Sequence, residues 1–193
     1  MTHAPQIEPV ELAKSYRLLN HGPTVLVSSA HGARRNVMAA AWCMPLDFDP
    51  PKLLVVIDKS TFTRELIEAS GEFVINVPTQ AQRALAVAVG SDSGRERDKF
   101  TALDITTFAG DRVAAPLIEG CVAWLECRVV PEAHNQNRYD LFIGEVVAAH
   151  ADSRVFSAGR WHFGPEHDAL RTIHHVAGGA FFVTGPMLDN SAA

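Results

Sequence analysis

Apolar and polar positions change period along the chain, and the changes divide it into elements. Val10, Leu12, Tyr16 and Leu19 fall near one helical face, which predicts a short helix over residues 10–19 that Gly22-Pro23 stops. Residues 24–29 (TVLVSS) are short and β-branched and predict a strand. A polar, basic turn over residues 31–35 leads into a second strand of mostly small residues, 36–44. Residues 45–52 carry three prolines and are expected to be a connection, because proline donates nothing to a sheet ladder. Residues 53–57 (LLVVI) are apolar throughout and predict a buried strand.

The polar cluster Asp58-Lys59-Ser60-Thr61 then offers caps for a helix over residues 63–70, with Gly71 at its end. A strand over residues 72–77 stops at Pro78, and an alanine-rich helix covers residues 80–89. Residues 91–99 form a polar loop, and a short strand is expected at 105–108. Long strands follow over residues 122–130 and 139–150, with residues 134–138 between their apolar cores read as loop. In the first, Val122, Trp124, Glu126 and Arg128 alternate with Ala123, Leu125, Cys127 and Val129. Gly144 in the second marks a bulge or a close backbone approach. Residues 153–162 run from loop to strand, residues 171–185 close the chain, and residues 1–6 and 188–193 are expected to be loose tails. Many short strands, turns and a few helices predict a mainly β, single-domain barrel with helical insertions over residues 1–193.

Composition narrows the function. A net charge of −5 excludes the basic stripe of a nucleic-acid binder. The amino-terminal residues are polar and broken by prolines, and no apolar run is long enough to cross a bilayer, so a cytoplasmic protein without membrane contact is expected. Three cysteines make no disulfide framework. No G-x-G-x-x-G, P-loop, H-E-x-x-H or C-x-x-C motif occurs. The histidines at 134, 162, 167, 174 and 175 have no spacing that supplies a third metal ligand, so no metal is expected.

Two stretches carry candidate chemistry. Ser60, Thr61 and Thr63 stand at a helix start, where free N–H groups and the helix dipole favour phosphate, and Lys59 or Arg64 adds charge. Plain helix capping explains the same hydroxyls. In residues 36–43, Ala39, Ala40 and Ala41 leave room for a flat ligand against the backbone, although close strand packing also accounts for them. The loop Arg95-Glu96-Arg97-Asp98-Lys99 is a solvated face unless one of its cations folds over a phosphate. Cys43 is either a small buried hydrophobe or a thiol beside a pocket.

In order and spacing, these segments resemble the flavin reductase-like family with the FMN-binding split barrel, of the flavoredoxin kind. The resemblance runs over roughly residues 16–150. It is carried by Tyr16-Arg17-Leu18-Leu19-Asn20 with Gly22-Pro23, residues 24–29, residues 36–42 and Asp49-Pro50-Pro51. Lys59-Ser60-Thr61 with Thr63, residues 71–78, Ser93-Gly94 with Asp98-Lys99-Phe100, and residues 140–146 continue it. Residues 171–185 match no motif of the family. The resemblance implies a Greek-key split barrel that forms a homodimer with FMN near the interface, FAD being the second option. It implies that the backbone of Met38, Ala39, Ala40, Ala41, Trp42 and Cys43 lines the flavin ring. Ser60, Thr61 and Thr63, with Lys59 or Lys99, would grip the phosphate, and Asn36 would stand at the mouth of the ring site. The implied activity is an NAD(P)H-dependent oxidoreductase that passes hydride or electrons through FMN to a small-molecule or protein acceptor. The alternatives are a flavoredoxin-type carrier that makes no direct use of NAD(P)H, and the reductase component of a two-component monooxygenase. No side chain stands out as a catalytic acid or base.

Overall fold

The computed structural model describes residues 4–188, so the outer parts of both expected tails, 1–3 and 189–193, lie outside the described residues. The chain opens with strand β1 (Ile7–Pro9), which the periodicity does not reveal, and a 3-10 helix over Leu12–Leu18 where the sequence predicts a helix. β2 (Val25–His31) and β3 (Arg34–Ala40) form a hairpin whose turn holds Gly32 at φ 58°.

The sequence predicts one strand over residues 36–44 and a connection over 45–52; both are corrected. The chain breaks at Ala41-Trp42 and starts β4 (Cys43–Phe48), which turns back into β5 (Pro51–Val56). Prolines survive here because β4 is an edge strand that, among the described residues, is bonded only to β5, and the register shifts between Pro45 and Asp47. An edge position demands no donor on its outer side, and a bulge demands none at all.

Helix α1 (Phe62–Ser70) starts at Thr61, whose hydroxyl accepts the Arg64 N–H at 3.3 Å, and ends at Gly71 with φ 73°. β6 (Glu72–Val77) has the predicted bounds. A 3-10 turn at Gln80–Gln82 precedes α2 (Arg83–Ser91), and the polar loop leads to the single turn α3 (Lys99–Ala102). The short strands β7 (Thr107–Phe108) and β8 (Leu117–Ile118) pair with each other before β9 (Ala123–Val130). Residues 134–138, expected as loop, belong to α4 (Ala133–Tyr139), which Asp140 ends in a left-handed conformation. The long β10 (Leu141–Asp152), the hairpin β11 (Phe156–Ser157) and β12 (Arg160–Trp161), and the hairpin β13 (Ile173–Ala177) and β14 (Ala180–Val183) complete the chain.

The main sheet is antiparallel in the order β3-β2-β6-β9-β10-β5-β4, with β1 added to β10. Its strands cross out of sequence order, and the fold is a Greek-key split barrel. Alternation along β9 separates two apolar clusters. Leu125 and Cys127 face one cluster with Leu18, Phe73 and Phe142; Trp124 faces the other with Leu26, Val89 and Phe100. Residues 123–127 are therefore all buried, where simple alternation would leave every second one wet. Each fully buried large side chain contributes roughly 1.5–3 kcal/mol, so both faces of the sheet are strongly held. Gly144 is a close approach rather than a bulge: a Cβ there would stand 2.5 Å from Phe73 Cζ, and the irregularity lies between Val146 and Ala148.

Candidate functional site

β3, α2 and the start of α1 enclose two adjoining cavities. The first, about 240 Å³, is polar: Asn36, Ser60, Thr61 and Thr63 line it with Ser91, Ser93 and Lys99. The second, about 350 Å³, runs along Ala39, Ala40 and Ala41 and is walled by α2 and by His175, Gly179 and Phe181 of the last hairpin. Ala39, Gly90 and Ser91 belong to both, so the two spaces join along β3 and α2.

Three groups define the polar end. Asn36 Nδ2 donates to Thr63 Oγ1 at 2.8 Å, but Asn36 Oδ1 is buried without a partner among the described residues. A Cβ at Gly94 would stand 2.0 Å from that oxygen, so the loop can pass Asn36 only as glycine. Lys99 is 3% exposed, and its ammonium donates to Val37 O at 3.0 Å and Val89 O at 2.7 Å, tying β3 to α2. Burial lowers its pKa below the ordinary lysine value, with Asp92 opposing. An ammonium has three donors, so one is left for a ligand.

The Ser60 hydroxyl and N–H both donate to Asp58 Oδ1, at 2.6 and 2.8 Å, and hold that carboxyl below its usual pKa. Thr61 Oγ1 donates to Asp58 O at 2.8 Å while it caps α1. Capping and ligand-lining thus coexist at Thr61. The helix also leaves its first N–H groups without intrahelical partners, which suits an anion.

Of the residues the sequence singles out, Asn36, Met38, Ala39, Ser60, Thr61, Thr63 and Lys99 meet in the polar cavity, and Ala39, Ala40 and Ala41 in the apolar one. Trp42, Cys43 and Lys59 line neither. Trp42 is 73% exposed beyond the strand break, and Lys59 is exposed. Cys43 packs inside the barrel, where burial pushes its thiol up to about 12. Arg64 points away from the cavity: it donates to Asp140 Oδ1 at 2.5 Å and Gln136 O at 2.9 Å and ties α1 to α4.

Sequence reasoning counts His175 only among histidines without metal-ligand spacing, any one of which could stand at a ligand edge, and misses Phe181; the two rings meet edge-on at 5.3 Å beside the apolar cavity. Gly178-Gly179 between β-branched and aromatic runs is the available signal for that hairpin. It also missed a cluster away from both cavities. Glu126, fully buried, accepts the N–H groups of Asp111, Arg112 and Val113 at 3.0, 2.7 and 3.0 Å, and His150 Nε2 lies 3.2 Å from Asp111. These contacts fix the loop at residues 110–113.

Comparison with known proteins places this geometry. The model of the flavin reductase like domain matches residues 17–169. The chain belongs to the flavin reductase-like family. An uncharacterized protein of Escherichia coli (strain K12), YddH, is 50% identical over 92% of this chain and 94% of its own. An FMN-binding domain of a flavin reductases-like enzyme from Shewanella baltica OS155 superposes with a TM-score of 0.94 at 50% identity, covering 98% of this chain and 100% of that one. The flavoredoxin of Desulfovibrio vulgaris (Miyazaki F) superposes with a TM-score of 0.76 at 25% identity, covering 89% and 91%. The family model stops short of β13 and β14, so the wall carrying His175 and Phe181 lies beyond the matched segment.

Proposed function

We propose that this flavin reductase-like protein binds FMN or FAD in the joined cavities and acts as an NAD(P)H-dependent oxidoreductase that delivers hydride or electrons to an acceptor. The observation that carries the reading is the buried, unpartnered Asn36 Oδ1 beside Lys99 at one end of a space whose other end is an alanine-lined slot. That polarity matches a flat apolar ring continued by a polar chain and a phosphate.

A bound flavin supplies the hydride and electron chemistry. The protein supplies position and charge. Lys99 and the Thr63 hydroxyl hold the phosphate end, with the α1 N-terminus behind them, and the Ser60 hydroxyl joins only by giving up Asp58. Asn36 Oδ1 accepts one ligand hydrogen bond and is fixed for it by Thr63. Ala39 to Ala41 admit the ring against the backbone, and His175 and Phe181 exclude water from the outer side. As a support for the proposed homodimer, Trp42, just before edge strand β4, and Met44, Leu46 and Phe48 along it are 73%, 53%, 48% and 67% exposed, next to the Ala41 end of the slot. The similarity to the Shewanella FMN-binding domain supports the flavin assignment.

Flavin titration followed by quenching of flavin fluorescence tests the binding, and the loss of nicotinamide absorbance tests turnover with NADH and NADPH. Saturable flavin binding with turnover is the expected result. Tight binding with no turnover on either donor would replace the reductase reading by the electron carrier. Sedimentation velocity, read against the same measurement on Phe48→Glu, tests the dimer.

A further inference from the structure

We infer that a cavity at the root of the carboxy-terminal hairpin is a second small-molecule site, which takes a neutral aromatic molecule carrying one hydrogen-bond donor, of the phenol or indole class. The cavity measures about 220 Å³, and His21, Trp161 and Phe163 line it together with residues 184–187. It shares no lining residue with the alanine slot or the polar cavity, so it stands independently of the flavin reading. β13 lies between it and the slot. Adjacent strand residues point to opposite faces, and His175 lines the slot while His174 meets the His21 ring edge-on at 5.6 Å.

The walls are aromatic and already tied together. Trp161 and Phe163 stack with centroids 5.2 Å apart and 14° between their planes. Trp161 Nε1 donates to Arg17 O at 3.0 Å, so the indole has only its ring left to offer. Arg171 Nη1 donates to Thr184 O at 3.0 Å and Gly185 O at 2.8 Å, and its Nη2 donates to Phe163 O at 3.2 Å, which joins two sides of the cavity. An apolar cavity of about 150 Å³ holds a benzene ring, so this space admits an aromatic molecule of one or two rings.

One polar atom selects among such molecules. His21 Nδ1 is buried without a partner among the described residues. The neighbouring hydroxyls fix its protonation. His21 Nε2 lies 2.9 Å from Thr172 Oγ1, which lies 2.5 Å from Thr184 Oγ1. The single Thr184 hydroxyl proton goes to His174 Nε2 at 3.1 Å or, when that nitrogen is itself protonated, to Thr172 O at 3.2 Å. In either case Thr172 donates the short contact to Thr184, and its oxygen accepts from His21 Nε2. Burial, and then His174, push the His21 pKa down to about 4, so the ring is neutral near pH 7 and Nδ1 carries a bare lone pair. A water meets this need poorly, because an ordered water makes about three hydrogen bonds and the lining side chains leave it one. A hydroxyl or ring N–H on an aromatic molecule supplies the donor while its ring packs on Trp161 and Phe163.

Isothermal titration of the wild-type protein with phenol should show one saturable site with a Kd of about 1 mM or lower. Anisole has the same ring and no donor; it should bind about tenfold more weakly, because it leaves the lone pair unpaired. His21→Leu should abolish that preference by weakening phenol, and Phe163→Ala should weaken both probes while the preference survives. Each preference is a ratio of two probes on one variant, so partial unfolding does not produce it. Equal affinity for phenol and anisole, or no saturation by phenol, overturns the inference and leaves the flavin reading standing. Saturating FMN should leave the phenol Kd unchanged; displacement of phenol by FMN assigns phenol to the alanine slot and also overturns the inference. Failure of FMN to bind overturns the flavin reading alone.

Discussion

His21 couples the stability of the carboxy-terminal hairpin to pH. It sits just before β2, its Nε2 2.9 Å from Thr172 Oγ1 and its ring edge-on to Trp161 and His174 at 5.4 and 5.6 Å. Thr172 Oγ1 and Thr184 Oγ1 are 2.5 Å apart, and His174 links Thr184 at 3.1 Å to Gly22 O at 3.0 Å. Burial, and then the neighbouring His174, lower the His21 pKa from 6.5 to about 4. At about 1.4 kcal/mol per tenfold change in proton affinity, that difference corresponds to about 3 kcal/mol. Between those two pH values the unfolded chain binds a proton that the folded chain does not. Stability from this group is therefore complete above about pH 6.5 and falls as the pH drops toward 4. The loss should lower the melting temperature by roughly 6–12 °C for a chain of this size. The perturbation is His21→Gln, which keeps a donor for Thr172 and removes the titration. Urea unfolding of both proteins across that pH interval gives the difference in slope, and the carboxylates common to both cancel. The variant should lose less stability on acidification by about 3 kcal/mol. Parallel pH curves for the two proteins would refute the reasoning.

Gly94→Ala places a methyl 2.0 Å from Asn36 Oδ1 and must displace the loop or the Asn36 side chain, so the flavin Kd should rise by about tenfold or more; an unchanged Kd would mean that Asn36 does not face the ligand. Lys99→Met should weaken FMN roughly 10- to 100-fold and leave riboflavin, which lacks the phosphate, nearly unaffected. Because burial lowers the Lys99 pKa, wild-type FMN affinity should fall as the pH rises into the alkaline range, and the variant should show no such decline. Cys43, Cys121 and Cys127 are all buried with thiol pKa values pushed up, so a disulfide reagent should titrate none in the native protein and all of them in denaturant.

The legibility of the chain follows from how local each determinant is. The α1 start and stop were readable because Thr61 and Gly71 act on their own backbone. β6 was readable because the β-favouring residues Phe73, Val74, Ile75 and Val77 stand between Gly71 and Pro78. The prolines of residues 45–52 misled because their tolerance depends on β4 being an edge strand, and sheet order is a non-local fact. At the site, Ser60, Thr61 and Thr63 could be named from type and spacing, whereas type and spacing offered Lys59 or Arg64 as the cation and Lys99 came from the family resemblance. That Arg64 serves Asp140 instead of the cavity depends on α4, more than 70 residues away in sequence. Trp42 and Cys43 were grouped with the alanines because a continuous strand would have put them in the same wall; the break at Ala41-Trp42 separates them. His175 could not be placed at the cavity because its position comes from the fold of a segment with no family motif.

Pro45 has a further consequence for how this protein meets its surroundings. A bare sheet edge templates the growth of further strands, and one flanked by Met44, Leu46 and Phe48 would invite it. Proline offers no backbone donor there, and the shifted register beside it spoils a flat alignment. The edge is thus closed to runaway strand addition while its apolar side chains remain open. Whatever covers it must do so by packing side chain against side chain, a contact that ends with its partner instead of propagating into a fibre.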